Sequence, residues 1–290
     1  MRGVFRRSMQ MLIVAMAGLV SGQVLYADYA FEARVVGEGQ ALILIPGLGC
    51  SGEVWQESVS TLSQSRQCHI LTLPGFAGVP AVAHEGNYVE FIKTELKRYL
   101  EQEPLERPVL VGHSLGGFIG LLLACEADSG LAGLVIVDSL PFLPAAMNPG
   151  ATEASAKGMA SGMVQQAQSM QPDQHRQMLS TMITDPEHIE EALKWSSESD
   201  RTTVSQAMME LYTTDLRDDI ADIRIPVLVM GSWVAYKNFG ATRESTESIF
   251  RAQYAALPQV EIKMTDVGKH FIMWDDPEFF LNETVAFLER

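Results

Sequence analysis

Short apolar runs alternate along the chain with longer amphipathic stretches. Residues 41–45, 108–111, 131–137 and 227–230 are largely apolar runs that end at Pro, Gly or Asp, and 69–73 and 260–264 keep the strand rhythm with polar residues interspersed. Runs of this length suit strands buried on both faces of a parallel sheet. Between them, residues 54–62, 88–100, 118–127, 246–256 and 277–288 place apolar side chains at helical spacing. Residues 31–36 alternate as an edge strand does, and Gly37-Glu38-Gly39 follows as a hairpin signal. Strands alternating with helices predict an α/β fold, with a mostly parallel central sheet and helices on both faces.

The rhythm breaks between residues 141 and 219. Helix formers dominate there, and methionine recurs at 147, 159, 163, 170, 178, 182, 208 and 209. This predicts a helical cap insertion, 141–219, over one edge of a core formed by 28–140 and 220–290. Methionine adapts to irregular ligands, which would suit a pliable apolar lid. Ordinary packing of helix faces explains the same pattern and is the reading preferred from sequence.

One junction is chemically suggestive. Pro108-Val-Leu-Val111 stops in Gly112-His113-Ser114-Leu115-Gly116, and a helical pattern follows. That is strand, tight turn, helix, with a serine at the apex. Such a turn strains the serine backbone and excludes side-chain bulk two residues to either side, where Gly112 and Gly116 stand. The helix then points its N-terminus at the reacting centre.

Charge and cysteine content narrow the partners. The formal charge of −15 argues against nucleic acid or an anionic membrane surface. Arg2, Arg6 and Arg7 precede an apolar run at 11–20 and small or polar residues up to Ala27, the pattern of an export signal. The run is about half the length of a membrane-spanning helix. Residues 1–27 are therefore expected to be removed, giving a soluble periplasmic or secreted protein without stable membrane insertion and with a charge of −18. Cys50 and Cys68 are expected at opposite ends of neighbouring strands, beyond the roughly 7 Å that a disulfide spans. Cys125 is expected to face the core from its helix. Three buried thiols follow. No metal-ligand spacing and no dinucleotide loop is present, so neither metal nor cofactor is expected.

Taken together, Ile45-Pro-Gly-Leu-Gly49, Leu73-Pro-Gly-Phe-Ala-Gly78, Gly112-His-Ser-Leu-Gly-Gly117, Ile225-Pro-Val-Leu-Val-Met-Gly231 and Gly268-Lys-His-Phe271 resemble the α/β-hydrolase fold family. The likeness is to its capped serine esterases and covers residues 31–288 in family order. It implies Ser114 as nucleophile and a base after the last strand, where His270 stands. His113 is expected to shape the turn. The acid that orients His270 commonly follows the strand at 227–230, but Gly231-Ser232-Trp233-Val234-Ala235-Tyr236-Lys237-Asn238 contains none. Some family members place it at the end of the preceding strand, which assigns Asp138, with Glu244 a distant second. Backbone N–H groups of Leu48 and Leu115 are the expected oxyanion donors. Many relatives have histidine where this chain has Pro46, which bears on the shape of that loop. By position, Trp233 and Tyr236 are candidate pocket residues.

The expected activity is cleavage of a small carboxylic ester through an acyl-enzyme. The same groups also serve thioesters, lactones, amides, haloperoxidase-like reactions and carbon–carbon bond hydrolysis. The rival from another class is a ligand-binding member of the fold with little or no turnover.

Overall fold

A computed structural model of the protein describes residues 24–26 and 29–290. The expected export signal lies outside these residues, except that Val24–Tyr26 forms a short strand, β1. The other strands are β2 (Glu32–Val36), β3 (Gln40–Ile45), β4 (Arg66–Thr72), β5 (Val109–His113), β6 (Gly133–Val137), β7 (Val227–Ser232) and β8 (Val260–Thr265). They form one sheet in the order β1-β2-β4-β3-β5-β6-β7-β8. β1, β2 and β4 pair antiparallel, and every pairing from β4 to β8 is parallel.

Two sequence expectations at this end of the sheet are corrected. β2 is not the edge, because β1 pairs outside it. Nor does Gly37-Glu38-Gly39 close a hairpin: β2 pairs with β4 (Val35 opposite His69), and β3 lies on the far side of β4. The turn instead passes over the start of β4. A Cβ on Gly37, at φ +85°, would sit 2.4 Å from the Arg66 carbonyl oxygen. Close passage of backbone past backbone, not hairpin geometry, explains this glycine.

Helices cover both faces. On one side, α1 (Gln56–Leu62), the short α9 (Ile272–Asp275) and α10 (Pro277–Leu288) pack with Trp55, Val59, Met273 and Phe280 against inward residues of the sheet. On the other, α2 (Tyr88–Gln102), α3 (Leu115–Ala124) and α8 (Arg243–Gln253) bury Ile92, Leu96, Phe118, Ile119 and Phe250. β5 and β6 are buried along their whole length, as their apolar runs require. Every residue of α3 is buried.

Between β6 and β7 stand α4 (Glu153–Ser169), α5 (Pro172–Met182), α6 (Pro186–Glu198) and α7 (Arg201–Thr213). They add to both apolar clusters: Leu179, Ile189 and Trp195 to that of α1 and α10, Ala207 and Leu211 to that of α2 and α3. None of the eight methionines in this stretch is fully buried, and Met147 is 85% exposed. Six of the eight are half-buried, and Met182 packs against the cluster of α1 and α10, as helix-face packing expects. Cys50 and Cys68 are buried and free; Cys125, also free, ends α3 and faces the α2–α3 cluster as expected, but is half-buried rather than fully buried. Burial pushes each thiol up to about 12.

Candidate active site

Three adjacent parallel strands deliver three residues to one edge of the sheet. Ser114 follows β5, Asp138 follows β6, and Ser232 ends β7. Each exit is tied to the next strand: Ser114 N–H donates to Val137 O (2.9 Å), and Asp138 N–H donates to Met230 O (2.7 Å). Ser114 has φ +51° and Asp138 φ +47°, a backbone region that non-glycine residues seldom occupy. Backbone held there without glycine marks positions that the surrounding structure over-determines, commonly at functional sites.

The turn at Ser114 is built around missing side chains. A Cβ on Gly112 would lie 2.3 Å from Gly116 O, and one on Gly116 would lie 2.3 Å from Ile45 O. Glycine at both positions lets the strand, the helix and the 46–50 loop approach one another. That loop turns tightly, with Cys50 N–H donating to Gly47 O (3.1 Å), and Gly49 takes φ +68°. A Cβ on Gly47 would meet His113 Nδ1 at 2.9 Å and Ser114 Cβ at 3.4 Å, so the loop lies directly against the turn. Pro46 does not prevent this. Leu115 opens α3, where helical N–H groups have no partner within the helix. Neither the Leu115 nor the Leu48 N–H has a protein acceptor among the described residues.

His270 Nδ1–H donates to Asp138 Oδ2 at 2.6 Å. This fixes the tautomer and leaves Nε2 as the acceptor a general base needs. The second carboxylate oxygen of Asp138 accepts the N–H of Ser232 (2.9 Å), and the Ser232 hydroxyl donates to Gly268 O (2.7 Å). Ser232 thus fills the strand end where an acid commonly stands and ties Asp138 to the His270 loop. The sequence reading missed this role; the signal was a small hydroxyl residue at the expected acid position. Glu244 lies exposed in the first turn of α8, apart from this network.

His113 is fully covered, and its Nε2–H donates to His270 O (3.1 Å). Burial, then the nearby His270 charge, holds its pKa well below the usual histidine range. It stays neutral and shapes the loop. The candidate pocket residues separate. Trp233 packs its ring against the α2–α3 cluster, with the Lys237 ammonium 5.8 Å from the ring centroid. Tyr236 is 48% exposed, yet its phenol is raised by burial, then by the Asp138 charge and by Tyr212 of α7. Tyr236 and Tyr212 therefore face the same region as Asp138. No group of three or more potential metal ligands occurs among the described residues.

A strained serine between strand and helix, a histidine held by a carboxylate and a glycine loop against the turn define a hydrolase-type site. The chain belongs to the alpha/beta hydrolase family, whose sequence model matches residues 42–283. Among curated proteins it is similar to the pimeloyl-[acyl-carrier protein] methyl ester esterase of Vibrio atlanticus. That match is 26% identical and covers 89% of this chain and 97% of the relative. The esterase of the same description from Vibrio cholerae is 34% identical over 108 residues, which is 37% of this chain and 40% of that protein. Among solved structures, the esterase EaEST of Exiguobacterium antarcticum superposes with a TM-score of 0.75 at 16% identity, covering 90% of this chain and 96% of that one. MenH from S. aureus gives 0.72 at 15%, covering 89% and 97%. At these identities the structural matches speak for the fold.

Proposed function

We propose that the protein is a serine hydrolase that cleaves a small carboxylic ester through an acyl-enzyme on Ser114. The observation that carries this is the 2.6 Å bond from His270 to Asp138 at the strand edge that also presents Ser114. In this reading Ser114 Oγ attacks the ester carbonyl while His270 Nε2 takes its proton. Negative charge on the carbonyl oxygen is met by the N–H groups of Leu48 and Leu115. His270 returns the proton to the departing alkoxide, and water, deprotonated by the same imidazole, releases the acid. Asp138 stabilises the imidazolium in both halves. The ester class agrees with the activity named for the Vibrio relatives. The inserted helices act as a cap whose partly exposed methionines accommodate the acyl group. Thioesters and lactones suit the same machinery.

A fluorophosphonate label tests the core of this. Mass spectrometry should place one adduct on Ser114, p-nitrophenyl acetate should release a burst of one equivalent, and Ser114→Ala should lose both. An unlabelled Ser114 with intact ligand binding would instead make the protein a receptor built on a hydrolase fold. Export remains part of the proposal on the basic-then-apolar N-terminus alone. Cleavage after Ala27 would remove β1, so N-terminal sequencing of the exported protein reads that point.

A further inference from the structure

Both neighbours of His270 are gripped by the inserted helices. α5 ends at Met182, and the last carbonyls of a helix have no partner within it. Here the His270 loop supplies the partners. Phe271 N–H donates to Met182 O (3.3 Å), and Lys269 Nζ donates to Ser180 O (2.8 Å) and Ile183 O (3.1 Å). A cation at this end of a helix also meets the negative pole of its dipole. The chain then turns back to Asp275 in α9. Thr184 N–H donates to Asp275 Oδ1 (3.0 Å), and the Thr184 hydroxyl donates to Oδ2 (3.0 Å). The same Oδ2 accepts Lys269 N–H (3.0 Å), which closes the clasp on the residue before the base.

Ring contacts continue the connection. Phe271 stacks on Trp274 (5.0 Å between centroids, 14° between planes), and Trp274 stacks on His188 of α6 (4.2 Å, 15°). In a chain with 36 acidic and 21 basic residues, the Lys269 ammonium bonds to two helix-end carbonyls and to no carboxylate among the described residues.

We propose that Lys269 and Asp275 are positioning residues for the reaction, and that the turn between α5 and α6 belongs to the frame that orients the His270 imidazole. The inference rests on reading His270 as the general base. Asp138 fixes one ring nitrogen, but one hydrogen bond leaves the ring free to pivot about it. His113 holds the His270 carbonyl from the sheet side. The clasp holds the residues before and after from the cap side, so backbone position and ring plane are set together. A shift of about 1 Å at a reacting group can cost on the order of a hundredfold in rate. The α5–α6 turn therefore stays docked during turnover, and substrate enters past another part of the cap.

The test compares Lys269→Met, Asp275→Asn, Thr184→Val and Lys269→Arg, with Lys157→Met on α4 as the control. Turnover of p-nitrophenyl acetate is measured per fluorophosphonate-titrated site. The low-field proton resonance of His270 Nδ1–H is recorded in the same samples. Lys269→Met and Asp275→Asn should each lower kcat about tenfold or more with KM within about twofold, and shift or broaden the resonance. Thr184→Val should lower kcat about threefold, Lys269→Arg should recover most of the rate, and Lys157→Met should match wild type. The proposal is overturned if kcat per titrated site stays within about twofold in Lys269→Met and Asp275→Asn with the resonance unmoved. If Lys269→Met does not fold, Asp275→Asn and Thr184→Val decide in the same way. Should wild-type Ser114 fail to label, the hydrolase reading falls, but the resonance still judges the clasp: movement in Lys269→Met supports it, and an unmoved signal overturns it.

Discussion

Asp138 carries an unusual load for one side chain. Its backbone sits at φ +47°, its carboxylate is 5% exposed, and its two oxygens serve different strands' loops. Oδ2 receives His270 and Oδ1 receives Ser232, so rotating the carboxylate would break both bonds. Asparagine at this position would keep the shape but present an amide to one donor, favouring the wrong imidazole tautomer. Asp138→Asn should therefore lower kcat by about two to four orders of magnitude with little change in unfolding midpoint. Glu244→Gln, on the exposed first turn of α8, should leave kcat unchanged. Steady-state kinetics on both variants decide the point: equal rates in Asp138→Asn and wild type would move the acid elsewhere.

Among the elements, α2 is capped by a residue far away in the sequence. Asn87 occupies its N-cap position but makes no side-chain hydrogen bond to the helix. Glu210 of α7, 7% exposed, instead accepts the N–H groups of Tyr88 (2.8 Å) and Val89 (2.8 Å), with Gln206 donating to it at 2.9 Å. A carboxylate at the positive end of a helix is favourable, and here it also ties an inserted helix to the core. Glu210→Ala strands buried donors and should cost about 2–4 kcal/mol in urea unfolding, with Glu210→Gln costing less. A loss below about 1 kcal/mol would show that water or Asn87 replaces the cap. The turn between α6 and α7 adds a second tie, since Ser199 Oγ accepts Ala77 N–H (2.9 Å) and contacts Gly49 O of the 46–50 loop (3.4 Å).

At the scale of the whole molecule, buried histidines set a response to acid. His69 is 1% exposed on β4, bonded to Tyr99 and Gln67, and burial lowers its pKa to about 4. His113 is lowered in the same direction. Each is neutral in the folded protein, whereas the unfolded chain protonates near 6.5. For His69, the unfolded state binds more protons between about 6.5 and 4, so its contribution to stability falls as pH falls through that window and levels off below it. The His69 shift alone corresponds to at most about 3 kcal/mol. His69→Gln should flatten the decline: unfolding midpoints at pH 7.5 and 4.5 should differ less in the variant than in wild type. An equal decline in both would assign the acid response to other groups.

What the order of residues determined by itself was local and periodic. Unbroken apolar runs become buried strands because a parallel sheet solvates neither face, and Gly112 and Gly116 mark the turn because no side chain fits against Gly116 O and Ile45 O. The expectation for His270 came from the family resemblance, whereas the strand-turn-helix around Ser114 and the absence of an acid at residues 231–238 were legible in the same local way. Pairing was not. A turn signal at residues 37–39 says that the chain reverses, not which strand lies alongside, and the reversal here carries it across β4. Only the tertiary structure places Ser232 between Asp138 and Gly268, Glu210 on the end of α2, and Lys269 on the end of α5. Each of these bonds joins residues 36 or more apart in the chain. Hydrophobic periodicity specifies which face of an element is buried, but a polar partner for a particular carbonyl or N–H is chosen by where separate elements meet.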